Sequence, residues 1–345
     1  MRMIRQGIAI AALLLGATAG SAEPDPLFMS FETLEVTLEG PFRQLMRKRD
    51  ESIELDGKFG YTDADGAAVE LDVKIRTRGK FRAQKTVCDF APLRLNFRAS
   101  QVDDSLFAGQ DKLKLVTHCD TDSNRYEQTV ITEYLAYRIL NVMTDFSYRV
   151  RLLQIRYIFT DSTDTIRSYG FLIERDKRVG GRLGLERMSV PKLQVADLEA
   201  DYGNLVSVFQ FLIGNTDFSP IAVAEGEDCC HNHTPFTALD TAVYAIPYDF
   251  DMCGLVDAPH AEPNRRFRLR NVRQRLYRGR CANNELLPAT LEHYRERRSE
   301  LEALIDNQPE LSKLTHRRTK DYLKSFYRII DDPKLAGRYL FKRCI

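Results

Sequence analysis

The chain has 345 residues, long enough for two lobes sharing an extended core, and balances 50 Lys and Arg against 49 Asp and Glu. That balance gives no global electrostatic reason to bind nucleic acid or a membrane surface. There is no internal repeat, no low-complexity tract and, past the N-terminus, no apolar run near the roughly 18 residues of a membrane-spanning helix, so no transmembrane anchor is expected.

Residues 1–22 read as a secretory signal peptide. Arg2 and Arg5 form its basic start, Ile8 to Leu15 an apolar stretch too short to span a bilayer, and Gly20-Ser21-Ala22 a small-residue cleavage site. The mature chain would begin near Glu23 and be exported, to a periplasmic or extracellular space. In such an oxidising compartment the seven cysteines are expected to pair, with one left over. Cys88 with Cys119 is the favoured bridge. Adjacent Cys229 and Cys230 are not expected to bond each other, because an eight-membered ring strains the peptide between them; Cys253 and Cys281 are the nearest alternatives. A Cys/His zinc site at 229–233 is the rival, although it lacks spaced C-x-x-C pairs.

Ile53 to Phe81 alternates apolar and polar residues on both sides of Asp63-Ala64-Asp65-Gly66, which predicts a β-hairpin. Its second strand runs into the basic series Arg76, Arg78, Lys80, Arg82 and Lys85. PLRLNF (Pro92 to Phe97) and KLKLVT (Lys112 to Thr117) are two further short strands. From Ser123 to Asn141 the apolar spacing turns helical, with Ser123 or Asp122 as N-cap. VRLLQIRYIF (Val150 to Phe159) and YGFLI (Tyr169 to Ile173) are paired strands, leading into Glu174-Arg175-Asp176 and then Gly180-Gly181.

An acidic helical stretch, Val195 to Gly203, precedes the apolar run LVSVFQFLIG (Leu205 to Gly214), which breaks into Asn215-Thr216-Asp217. About thirty residues on, the apolar strand AVYAIPY (Ala242 to Tyr248) delivers Asp249-Phe250-Asp251 and then Gly254. Carboxylates just past the ends of two apolar elements are held rigidly and partly desolvated. They can converge, one orienting a nucleophile and another holding a divalent cation. The bland alternative is that both are turn residues. Arg265 to Arg280 carries eight Arg in sixteen residues, read either as a solvated helix face paired to acids or as a docking surface for acidic or phosphorylated protein. Ala289 to Leu340 is amphipathic helix interrupted at Pro309 and Pro333.

GNTD followed by IPYDFD resembles the C-lobe signature of the CotH-type atypical protein kinases, themselves related to HipA-like and secretory-pathway kinases. Weaker similarity runs upstream through RTRG (Arg76 to Gly79), KLKLVTH and YGFLIERD. The resemblance implies an α+β, two-lobed atypical protein-kinase-like fold, with a β-rich N-lobe over residues 23–178 and a mainly helical C-lobe over 179–345. It implies transfer of the γ-phosphoryl of ATP to a Ser or Thr hydroxyl of an exported protein, possibly acidic, with Mg²⁺ or Mn²⁺. Asp217 takes the catalytic position. Asp249 is the first choice for the metal ligand and Asp251 the second. Arg78 belongs to the basic edge covering the phosphates. Arg94, Lys112 and Lys114 are candidates for the phosphate-contacting lysine position, Lys114 preferred as central in its strand. Glu127 and Glu133 are candidates for the helix Glu that pairs with it, and the adenine-contacting hinge falls near Glu174. One departure stands out. The family's Asn, five residues after the catalytic Asp, is Ala222 here. Either Asn232 folds back to replace it as a metal ligand or the metal has fewer protein ligands. Two other readings share these residues: a pseudokinase acting as a protein-binding scaffold, and a nucleotidyl transferase moving AMP.

Overall fold

The computed structural model describes residues 25–121, 123–223, 227–238 and 242–345; the expected signal peptide, Glu23 and the alternative cap Asp122 lie outside them. The strands are β1 (Leu34–Gly40), β2 (Leu55–Thr62), β3 (Ala68–Thr77), β4 (Leu93–Phe97), β5 (Lys112–Val116), β6 (Val150–Phe159), β7 (Thr165–Ile173), β8 (Glu186–Arg187), β9 (His233–Thr237) and β10 (Tyr244–Pro247). The helices are α1 (Phe42–Lys48), α2 (Ala99–Val102), α3 (Asn124–Met143), α4 (Asp176–Leu183), α5 (Ala200–Ile213), α6 (Leu287–Glu296), α7 (Arg298–Asp306), α8 (Lys313–Asp331) and α9 (Pro333–Ala336).

Seven strands close into a barrel in the order β1-β2-β3-β4-β5-β7-β6, while β10-β9-β8 form a separate small sheet. Closure corrects the fold expected from the resemblance. Regions rich in strand and in helix are both present, but the first is a closed mixed barrel rather than the sheet of a two-lobed kinase-like α+β fold. The closing element is β1, a strand that the sequence reading passed over. Leu34–Gly40 alternates half-buried and buried residues, pairs antiparallel with β2 on one side and runs parallel with β6 from Leu34↔Leu153 to Gly40↔Phe159 on the other. Closing the sheet leaves no open edge. The interior is filled by alternate residues such as Leu38, Phe59, Ile75, Leu95, Leu113 and Tyr157. Phe42 packs against Tyr157 and Phe159, and Phe107 against Phe59 and Phe97, so aromatic side chains from the connections complete this core.

The hairpin forms as expected: Asp63 Oδ1 accepts from the amides of Asp65 and Ala67 and fixes the turn between β2 and β3. Ser123 caps α3, its hydroxyl accepting from the Arg125 amide. A larger core joins α3 and the outer face of β7 to α5, α6 and α8. The Arg-rich stretch departs from its helical reading. It is a single 3₁₀ turn at Arg265–Phe267 followed by turns and irregular backbone.

Cys88 and Cys119 are bonded, as expected, with Cα atoms 4.7 Å apart. Cys229 and Cys230, contrary to expectation, are bonded to each other. The peptide between them is cis, which brings the Cα atoms to 3.0 Å with both side chains on one side. Cys281 pairs with Cys344 rather than with its nearer neighbours. Cys253 is the free thiol, and burial in the large core pushes its pKa up to about 12. Among the described residues no helix is long and apolar enough to cross a membrane.

Candidate functional site

Helix α5 stops at Gly214, which adopts φ 67°, a left-handed conformation that glycine takes without steric cost. A side chain there would also strike the Tyr322 hydroxyl, and one at Gly254 would meet Val272 O at 2.6 Å and Arg273 Cα at 2.8 Å. The close approach that two glycines permit lets the backbones bond directly. Gly254 N–H donates to Gly214 O (3.2 Å) and Leu255 N–H to Ile213 O (2.9 Å). The two carboxylate loops are therefore pinned to each other at their roots.

The Asn215-Thr216-Asp217 loop is shaped by Asn215, whose Oδ1 accepts from the Asp217 amide (2.9 Å). Arg278 clamps it from outside, donating to Thr216 O (3.1 Å) and Phe218 O (2.7 Å), the carbonyls on either side of Asp217. The Asp217 carboxylate is partly open to solvent. Its Oδ1 lies 2.9 Å from His231 Nε2, and its Oδ2 accepts from Asn232 Nδ2 at 3.2 Å. Asn232 Nδ2 also donates to Asp217 O (2.7 Å). The hydrogen bond to Asp217 raises the pKa of His231 despite partial burial.

On the second loop, successive side chains point to different environments. Asp249 has φ 62° and its amide donates to the Tyr137 hydroxyl (2.8 Å). Its side chain is exposed to solvent yet closely surrounded by protein. Desolvation, then the neighbouring Asp251 charge, pushes its pKa up to about 6. Phe250 is fully buried against Tyr137 and Phe209, ring centroids 4.5 and 5.3 Å away. Asp251 is sealed beneath and hydrogen-bonded to His260 Nε2 (3.1 Å). Desolvation raises the Asp251 pKa, but the His260 hydrogen bond and the Arg82 and His260 charges outweigh it, so the carboxyl ends below its ordinary value. Glu133 of α3 is buried nearby, 4.0 Å from Arg82 Nη1. Desolvation first, then Asp251 and Asp249, drives its pKa well above the usual range. Three carboxylates thus repel one another in one place.

Facing them is a row of cations on the outer side of the barrel. The register sets Arg76 opposite Arg94 and Arg94 opposite Lys114, while Ile75, Leu93, Leu95, Leu113 and Leu115 fill the interior. Like charges directly across strands destabilise a sheet. Arg76 is compensated by Glu51 and Glu54 (3.8 and 3.7 Å). Among the described residues, the Arg78 guanidinium and the Lys114 ammonium have no carboxylate partner. Both line a small void shared with Asp249 and Tyr248. Lys114 lies 5.1 Å from the centre of the Tyr248 ring, and burial, then Arg78, lowers its pKa. Burial, then Arg76 and Arg78, lowers that of Arg94, whose Nε is buried without a partner. Beside this row opens a cleft of about 600 Å³ lined by Arg94, Lys114, Ile173, Glu174, Leu185 and Arg187.

Several expected residues therefore lie together: Asp217 with Asn232, Asp249 with Arg78 and Lys114, and Glu133 close to Asp249 and Asp251. Glu133 is paired with Arg82 rather than with Lys114. Asn232 folds back to the Asp217 loop, where its Nδ2 donates to Asp217 O and Oδ2. Glu174 lines the cleft, its buried carboxylate held by Arg182 (2.8 and 3.1 Å) and the Arg149 amide (3.0 Å). Sequence reasoning placed Arg82 only within the basic series, His231 only within the rival zinc cluster and Arg278 only within the arginine run, and passed over His260 and Tyr137. His231, adjacent to Asn232, and Arg82, inside the basic series, carried a signal; His260 and Tyr137 carried none.

No family model matches the chain, and no curated protein matches it. Among solved structures, the crystal structure of a Helicobacter pylori proinflammatory kinase CtkA is similar over 72% of this chain and 94% of that chain, at 11% identity and a TM-score of 0.39. The CotH-type family is not confirmed by these comparisons.

Proposed function

We propose that this protein is an exported phosphotransferase that moves the γ-phosphoryl of ATP to a Ser or Thr hydroxyl of a protein. The observation that carries the reading is the pinned pair of loops, which roots Asp217 and Asp249 together and leaves Asp249 sharing a void with Arg78 and Lys114, cations that lack a carboxylate of their own among the described residues.

The donor set suits the groups this reaction needs. Asp249 and Asp251, with Glu133 beside them, offer hard carboxylate oxygens of the kind that Mg²⁺ and Mn²⁺ prefer, and a cation would relieve their mutual repulsion. When bound, such a metal neutralises charge on the phosphates. Arg78, Arg94 and Lys114 would hold the phosphates, with the nucleotide extending into the adjoining cleft. Asp217 orients the acceptor hydroxyl and takes its proton as the hydroxyl oxygen bonds to phosphorus and the bond to the bridging oxygen of ADP breaks. His231 and Asn232 fix the direction of that carboxylate. The Cys88–Cys119 and Cys281–Cys344 disulfides are compatible with an exported protein.

A binding scaffold is the second reading, favoured by the fact that both Asp217 oxygens already have partners within the chain. The test is incubation with ATP labelled at the γ or the α position, with Mg²⁺ or Mn²⁺ and a generic protein acceptor. Protein-bound γ label supports phosphoryl transfer, and α label would mean AMP transfer instead. If neither label transfers and no nucleotide binds, the scaffold reading replaces both.

A further inference from the structure

The Arg-rich stretch divides into two groups with different roles. Arg275 and Arg278 are turned inward. Arg275 donates to Leu212 O and Tyr322 O and stacks on the Tyr322 ring at 3.8 Å, while Arg278 holds the two carbonyls flanking Asp217. Arg266, Arg268 and Arg270 are turned outward and exposed, and no carboxylate pairs with them among the described residues. Arg265 differs in sharing Glu262 at 3.5 Å.

This exposed loop is tied to the site. Arg278 stacks on Phe218 (4.4 Å) and on Phe267 (4.7 Å), so a single guanidinium bridges the Asp217 loop and the centre of the arginine loop. Asn264, which caps the 3₁₀ turn through the Arg266 amide (3.1 Å), reaches Thr216 O at 3.5 Å. The outward arginines therefore start one side-chain layer from Asp217. Burial, then the Arg266 and Arg280 charges, pushes the pKa of Arg278 down to about 10.

We infer that Arg266, Arg268 and Arg270 form the docking surface for an Asp/Glu-rich segment of the acceptor polypeptide, beside the hydroxyl to be modified. The inference rests on the phosphotransfer reading for its purpose and on charge complementarity for its partner. A polypeptide fits better than a long polyanion or a membrane. The loop is short, and the chain as a whole, with 50 basic and 49 acidic residues, has no excess charge with which to follow an extended anionic surface.

The experiment is fluorescence anisotropy without nucleotide, using a short synthetic peptide with one Ser flanked by Glu residues and its Gln counterpart. The full chain should bind the Glu peptide more tightly, and less so as salt is raised. The triple variant Arg266→Gln/Arg268→Gln/Arg270→Gln should bind it about tenfold more weakly, the product of three exposed charge contacts. Circular dichroism and thermal unfolding verify that the variant is folded. The charge-reversed triple variant with Glu at all three positions should instead prefer a peptide whose Glu residues are replaced by Lys. Equal affinity for the Glu and Gln peptides, or undiminished binding by the triple Gln variant, overturns the inference. So does binding of single-stranded RNA or anionic phospholipid vesicles with no binding of the Glu peptide. Because no phosphoryl group moves in this assay, a failure of the catalytic reading appears separately, as absent γ-label transfer.

Discussion

The two carboxylate loops grow from the same pinned root but are built in opposite ways. The Asp217 loop is held by polar groups: Asn215 within it, Arg278 on its carbonyls, and His231 and Asn232 on its carboxylate. The Asp249 loop is held by aromatic packing, with Phe250 wedged between Tyr137 and Phe209 and Asp251 sealed on His260. Polar scaffolding leaves a carboxylate partly solvated, free to accept a proton. Apolar scaffolding desolvates its neighbours and sharpens their response to a cation. Under the phosphotransfer reading, this contrast divides the work between proton handling and metal holding.

The largest effect should come from breaking the first loop's chemistry without altering its shape. Asp217→Asn keeps most hydrogen bonds but removes charge and basicity. Transfer from ATP should fall about 10²–10⁴-fold, roughly 3–5 kcal/mol of barrier, with nucleotide affinity nearly unchanged. Parallel ATP-binding and γ-label assays check this; equal loss of both would make Asp217 a structural residue. Next comes the second loop. With nucleotide present, Asp249→Ala should weaken Mn²⁺ binding by about 100-fold, near 2.7 kcal/mol, and Asp251→Ala by clearly less. Asp251 is occupied by His260, whereas Asp249 is open to solvent. A titration in which Asp251→Ala is the more damaging variant would reverse the assignment.

Which parts were legible in the sequence follows from the same contrast. Asp217 and Asp249 stood out because each ends an apolar segment, a local pattern. The hairpin and the α3 cap were legible for similar reasons, and the Cys88–Cys119 bridge because both cysteines fall in the expected N-lobe. Barrel closure was not: it depends on β1 meeting β6 more than a hundred residues away, in a parallel pairing with no turn to announce it. The Glu133–Arg82 pair joins side chains distant in sequence, and the Asp251–His260 bond spans an irregular loop, both between common residue types with no local signature. Arg278 lay inside a conspicuous charge run, but composition could not separate the arginines that turn inward from those that remain exposed. Cys229–Cys230 ran against the expectation that an eight-membered ring would be too strained to form.

The pin between the loops can be tested through stability. At Gly254 an added Cβ meets the Tyr322 hydroxyl at 2.5 Å and also backbone that cannot swing aside, Val272 O at 2.6 Å and Arg273 Cα at 2.8 Å. Gly254→Ala should therefore cost about 1–3 kcal/mol in urea unfolding, through overpacking. Because Asp249 and Asp217 share this root, transfer activity should fall in the same variant even at temperatures where it remains folded. A variant that is destabilised but fully active when folded would mean that the two loops work independently.

The smallest effect gives the most pointed comparison, since it opposes two carboxylates two residues apart. Asp249 has its pKa raised to about 6 in the folded chain, against about 3.9 for an unperturbed Asp. Between these values the native chain binds more protons than the unfolded one, so stability from this group is greatest at low pH and is lost as pH rises to about 6. Asp249→Asn cannot ionise. It should stabilise the metal-free, nucleotide-free protein at pH 8, with the gain fading as pH falls from 6 towards 4. Because Asp249 is exposed to water, screening limits that gain to less than about 1 kcal/mol. Asp251 has the opposite sign. Its pKa is lowered, so its charge contributes stability that is present above the unfolded pKa and lost as pH falls through the folded one. Asp251→Asn should therefore be destabilising at pH 8, with the difference narrowing in acid. Urea midpoints at pH 4, 6 and 8 measure both. If the two variants shift stability in the same direction at pH 8, the contrast between an open and a sealed carboxylate does not govern this loop, and the case for Asp249 as the principal metal ligand loses its electrostatic basis.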